Sequence, residues 1–219
     1  MQVQSNGGLI MAIISNATTI ADAGSFSVSL GSLTLIKSLR ASNAGTLSFV
    51  HGASSVVLDG TYPIYMFRFV EIHPATSSVG FTVNFRDGGT AYDATKTTTS
   101  FGTYNREDGG EISLGYRSDN DLAQATGAQT LINYNTLSND DDSSVSGDLL
   151  LFNPSSTTFV KHFMSNVNSM AIDGSNRYSV NSFTAGYNNV TAAIDGVQFA
   201  MTSGNIESGK VQLYGIKDS

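Results

Sequence analysis

The chain has 219 residues, with 18 acidic and 11 basic side chains and a net charge of −7. Charged residues are only 13% of the total, against roughly 25% in ordinary globular domains, so solubility rests on Ser, Thr, Asn and Gly. The acidic balance and the scattering of Lys37, Arg40, Arg68 and Arg86 over separate segments argue against nucleic acid and against an anionic membrane surface, both of which call for clustered Lys and Arg. The absence of cysteine excludes disulfides, thiolate metal sites and thiol nucleophiles.

Gly8 to Ile14 is a short apolar run near the start. It falls well below the ~20 residues of a membrane helix. No Lys or Arg precedes Lys37, so the basic region of a signal peptide is missing. Residues 1–14 are therefore read as an N-terminal extension, and Leu9, Ile10, Met11, Ile13 and Ile14 as a candidate subunit-contact arm, because apolar residues of this kind are costly to expose alone and favour pairing with another chain. Met11 is also a candidate internal start.

From residue 15 onward a single domain is expected, all-β, an antiparallel β-sandwich of jelly-roll type with at most one short helix. Long stretches with helical spacing are lacking, and period-two alternation recurs. Phe26, Val28 and Leu30 alternate with Ser; Leu33, Leu35 and Leu39 continue. Leu47 and Phe49 lead to the turn His51-Gly52. A denser run spans Tyr62 to Ile72. Phe81, Val83 and Phe85 stop at Asp87-Gly88-Gly89. Asp119 to Thr130, rich in Ala and Gln, reads as a short helix or an ordered loop, and Asn139 to Ser144 as a solvated loop. Leu149 to Phe152 ends at Asn153-Pro154, since proline cannot donate to a ladder. Phe159 to Met164 follows. Val197, Phe199 and Met201, then Ser203-Gly204-Asn205, then Val211, Leu213 and Ile216 read as a terminal hairpin burying one face. The pattern amounts to roughly ten strands.

Motifs for chemistry are sparse. His51, His73 and His162 lie far apart, without metal-binding spacing. Glu71 and His73 share a strand face if the alternation is regular, and the ordinary reading is a hydrogen-bonded strand-end histidine. Asp140-Asp141-Asp142 and the pair Asp119 and Asp121 could hold Ca²⁺ but lack the spacing of an EF-hand loop, and the ordinary reading is two exposed polar loops. The Gly-x-Ser-x-Gly elbow and the phosphate-binding Gly-x-x-x-x-Gly-Lys loop are absent. The chain has nine Tyr and no Trp, which leaves carbohydrate binding open. No catalytic residue, metal ligand or cofactor is expected.

Three stretches carry a resemblance. Ser146 to Thr158, the terminal Ile194 to Phe199 with Ser203 to Ile206 and Gly209 to Lys217, and Tyr62 to Tyr65 through Ile72-His73-Pro74 resemble a loosely characterised group of virion proteins from marine tailed bacteriophages, described as head-surface or tail-fibre-like modules. The likeness runs from about Ala12 onward and is densest after Ser146. It transfers no catalytic motif. It implies a non-enzymatic structural protein on the outer surface of the virion. A capsid decoration or cement protein is the favoured form, bound to the major capsid protein or other virion proteins and forming a homo-oligomer, with a trimer favoured. The chain carries no heptads or collagen-like triplets that would build a fibre shaft. The alternative is a tail-fibre or receptor-binding protein contacting host carbohydrate or protein through Asp87 to Thr95, Asp119 to Gly127 and Asp173 to Tyr178.

Overall fold

A computed structural model describes residues 32–134 and 137–218 in full and, by backbone course alone, four strands within residues 2–26. These are β1 (Gln2–Ser5), β2 (Met11–Ser15), β3 (Thr18–Asp22) and β4 (Ser25–Phe26), an antiparallel sheet in chain order. The boundary expected after residue 14 falls inside β2. Of the candidate arm, Leu9 and Ile10 lie outside the described residues. Met11, Ile13 and Ile14 sit on β2, in register with Ser5, Val3 and Gln2 of β1, and their side chains lie outside the described set.

The remaining strands are β5 (Leu33–Arg40), β6 (Thr46–Val50), β7 (Ile64–Pro74), β8 (Phe81–Arg86), β9 (Lys96–Arg106), β10 (Ile112–Tyr116), β11 (Gln129–Thr130), β12 (Val145–Phe152), β13 (Lys161–Asp173), β14 (Asn176–Asn188), β15 (Gly196–Met201) and β16 (Ile206–Ile216). They form two antiparallel sheets, an eight-stranded one in the order β10-β9-β14-β13-β12-β7-β16-β5 and a four-stranded one in the order β11-β8-β15-β6. The protein is an all-β antiparallel sandwich, and no helix occurs among the described residues. Asp119 to Thr130 is loop ending in β11.

Two hairpin excursions, β9–β10 and β13–β14, interrupt a simpler plan. Without them the order along the chain is β5, β6, β7, β8, β11, β12, β15, β16. The first, eighth, third and sixth of these pair side by side in the large sheet, and the second, seventh, fourth and fifth form the small one. That alternation between two sheets is the double Greek key of a jelly roll. The excursions return to the large sheet beyond β12 and double its width.

The core lies where β7, β12 and β16 face the small sheet. Phe199 on β15 is its hub, with ring centroids 5.1 Å from Phe69, 5.4 Å from Phe67 and 5.8 Å from Phe81. Edge-to-face aromatic pairs add to the large apolar area such rings bury. Tyr65, Phe67 and Phe69 point inward at alternate positions of β7. Glu71 then takes a positive φ of 52°, and the register against β16 slips at this point. The bulge sends Ile72 rather than Glu71 to the core. Gly209 on β16, itself at φ 106°, passes against the Glu71 carbonyl, where a Cβ would collide.

The terminal pair differs from the expected hairpin. β15 and β16 belong to opposite sheets and share no ladder, and the turn between them carries the chain across the sandwich. Alternating apolar residues look the same in sequence whether two strands pair side by side or face each other across a core.

Candidate functional site

The strands of the excursions bury polar side chains among apolar ones such as Phe163, Val167 and Val180. On β9 and β14 the positions facing inward are Thr98, Ser100 and Gly102, and Ser182 and Thr184. Ser165 on β13 continues the row, in register with Thr184, which is in register with Ser100. These hydroxyls are buried, and a buried polar group is tolerable only when bonded. Residues 129–133 supply partners to three of them, while Ser165 donates to the Asp148 carbonyl and Thr184 pairs with Ser100. Thr98 donates to Gln129 Oε1 at 2.6 Å and Ser100 to Asn133 Oδ1 at 2.6 Å, while the Asn133 amide N–H donates to Ser182 Oγ at 2.8 Å. The Asn133 side chain also donates to the Phe101 carbonyl, close against Gly102, where any Cβ would strike it.

A second inward row holds Lys161, Asn188 and Lys96, adjacent in register on β13, β14 and β9 and all fully buried. Lys96 Nζ donates to the carbonyls of Gly127 at 2.8 Å and Thr126 at 3.3 Å, and Lys161 Nζ to those of Val190 at 2.7 Å and Ser156 at 3.1 Å. Burial pushes the Lys96 ammonium down to about 8, partly offset by Asp93 and Asp87. Burial lowers Lys161 as well. Each lysine ties a loop to the end of the sheet.

The outward face of the same strands sets exposed apolar side chains among polar ones such as Thr99, Thr103, Asn105 and Asn181. Ile112, Leu114 and Tyr116 on the edge strand β10 are 75%, 73% and 63% exposed, and Phe101 on β9 is 44% exposed. Tyr116 is in register with Phe101, which is in register with Phe183, and the two phenylalanine rings lie 5.0 Å apart. Toward the other end of these strands, Thr97, Thr99, His162, Met164, Ala185 and Tyr187 line a shallow groove of about 440 Å³. It adjoins a second concavity beside the exposed Phe159. The row Met164, Leu150, Met66, Tyr214 and Leu35 extends the outer face across to β5. Exposed apolar side chains clustered at an edge strand are a feature of contact faces.

At the opposite end of the excursions, where the inner face runs past its cover, lies a small cleft of about 150 Å³. Ala171 and Val180 form its buried floor. Tyr104, Tyr134 and Tyr178 wall it, and Glu111 and Asp173 stand at its rim. Tyr104 donates to Glu111 Oε1 at 2.6 Å and Tyr178 to Glu111 Oε2 at 3.2 Å. The bond to the Glu111 carboxylate holds the Tyr104 phenol above its ordinary range.

The residues singled out from sequence are dispersed. His51 Nδ1 accepts the Leu58 N–H at 3.1 Å. His73 meets the Ser143 carbonyl through Nδ1 and Glu207, at 3.3 Å, through Nε2; the bulge at Glu71 breaks the shared face that would have paired it with that residue. His162 lies 6.0 Å from the Tyr187 ring on the outer face. Asp142 pairs with Arg177 and Asp119 with Arg117, each at 3.1 Å, and no group of three or more His, Asp or Glu converges among the described residues. Two of the three recognition loops adjoin, since Ala125 bridges Lys96 directly after Asp87 to Thr95. The third, Asp173 to Tyr178, is at the far end of the strands beside Glu107 to Gly110. Sequence reading missed the cleft and the outer strip. Their residues come largely from strands whose buried positions mix polar and apolar side chains, so only the isolated Ile112, Leu114 and Tyr116 hinted at either. No family model, curated protein or solved structure matches the chain.

Proposed function

We propose that the protein is a non-enzymatic structural subunit of a bacteriophage virion, a capsid decoration protein that associates through the outer face of its eight-stranded sheet. The observation that carries this reading is the cluster of exposed apolar side chains at the edge of the large sheet, where Phe101, Ile112, Leu114, Tyr116 and Phe183 turn outward. Exposed apolar side chains clustered at a sheet edge are stabilised once a partner covers them. The occupant is a second copy of the chain, in a trimer, seated on the major capsid protein. Jelly rolls recur in viral capsid proteins, and equally in lectins and cupins, so the fold is compatible with the reading and does not fix it. The phage resemblance supplies the particle.

Soluble protein is expected to rebind particle heads stripped of it, and Leu114→Lys and Ile112→Lys variants are expected to fail. Rebinding by the variants at the original level removes the outer face from the account. The receptor-binding alternative is favoured by a different observation, the walled tyrosine cleft, and binding to host cells with no binding to heads would select it.

A further inference from the structure

We propose that the cleft between Tyr104, Tyr134 and Tyr178 is a binding site for an organic ammonium group, either a quaternary trimethylammonium head or an alkylated amine. Tyr104 stands edge-on to both neighbours, with ring centroids 5.2 Å from Tyr134 at an interplanar angle of 81° and 5.5 Å from Tyr178 at 87°. Three walls of an open box are thereby set by rings whose faces carry negative potential. The charged side chains lining the cleft are Glu111 and Asp173, both carboxylates. Two guanidinium groups stand nearby and neither lines it. Arg117 sits 4.2 Å over the Tyr134 ring, and Arg106 lies 3.8 Å from Glu111 while pairing at 2.7 Å with Asp108.

Volume narrows the ligand. About 150 Å³ is below the ~300 Å³ at which pockets begin to enclose whole drug-sized molecules, so the site takes a head group and leaves the rest of the ligand outside. The floor of Ala171 and Val180 suits methyl groups, which a bare ammonium lacks. A sugar ring needs a broader platform and neutral donors and acceptors, whereas the hydroxyls of Tyr104 and Tyr178 are already spent on Glu111. The inference does not depend on the decoration reading, since it rests on the lining of the cleft and not on the outward-facing side chains that carry that reading.

The test is titration of the full chain with choline, with its neutral carbon isostere in which a tert-butyl group replaces trimethylammonium, and with N-acetylglucosamine, followed by amide chemical shifts. Choline is expected to shift the Ala171 and Val180 amides saturably, and the isostere to bind about tenfold more weakly, the cost of losing the cation over the rings. Tyr178→Phe is expected to retain choline binding, Tyr178→Ala to lose at least about fivefold, and Glu111→Gln to weaken it about threefold with a reduced salt dependence. Equal affinity for the isostere, binding of the sugar alone, or no shift with choline each overturns the proposal. Should Tyr178→Ala fail to fold, the comparison of choline with its isostere on the unaltered protein decides.

Discussion

Arg86 grips Asp195 with two hydrogen bonds, Nε to Oδ1 at 2.8 Å and Nη2 to Oδ2 at 3.0 Å, across 109 residues of chain. Arg86 ends β8 and Asp195 precedes β15, so the pair locks the small sheet at one end, and the Asp195 N–H donates back to the Arg86 carbonyl. The side chains are 15% and 31% exposed, so solvent screens the pair only in part. Asp195→Ala is expected to cost about 1.5–3 kcal/mol, the range for hydrogen bonds to charged groups, read as a lower urea midpoint. A loss below ~0.5 kcal/mol, the level of an exposed pair, would show that the grip contributes nothing.

Phe199 meets four other rings and has no exposure. Phe199→Ala is expected to destabilise by about 3–5 kcal/mol, combining lost transfer energy with the cavity left among rigid neighbours. Phe199→Leu, which refills most of the space, is expected to cost markedly less. Equal losses for the two would indicate that the rings do not form a single packed cluster.

Lys96 gives a pH signature. Its folded value of about 8 lies below the ~10.4 of an unfolded lysine. Between those limits the unfolded chain binds the proton and the folded one does not, so folding stability rises with pH. Below pH 8 the cost of the buried charge is present in full. The unfolding free energy of the natural protein minus that of Lys96→Met is therefore expected to increase from pH 7.5 to pH 10, a window set by those two values. The difference removes the titration of other groups, including Tyr65, which burial raises to about 12. A flat difference across this range would mean that Lys96 is hydrated in the folded state.

On the proposed reading, Ile112 and Leu114 serve subunit contact rather than folding. With three-quarters of each side chain in water, substitution by lysine is expected to change stability by less than ~0.5 kcal/mol. The mass seen by light scattering is expected to fall from an oligomer to the 23.1 kDa of one chain. An oligomer that survives both substitutions would move the contact face elsewhere.

Much of the sandwich is written in the sequence. Phe81, Val83 and Phe85 become β8, Val197, Phe199 and Met201 become β15, and Leu149 to Phe152 ends β12 where Asn153 adopts a positive φ of 46° ahead of Pro154. These strands bury carbon on one face, so burial and alternation coincide. β9 and β14 escape that reading, because apart from Val180 their buried faces are polar side chains and glycine, and what remains visible looks like loop. Of β13 only the start was legible: Phe159 to Met164 suggested a strand, but Phe159 is outside it and the long run to Asp173 has Ser165 and Ser169 among its buried positions. The tyrosine cleft was illegible for another reason. Tyr104, Glu111, Tyr134, Asp173 and Tyr178 are brought together only by the return of both excursions to one sheet.

The direct measurement is quantitative mass spectrometry of purified virions, with heads and tails separated. A decoration protein is expected in the head fraction at a copy number matched to the capsid lattice, on the order of hundreds per particle for a closed symmetric shell. A few copies confined to the tail fraction, or none in the particle, would contradict the proposed role.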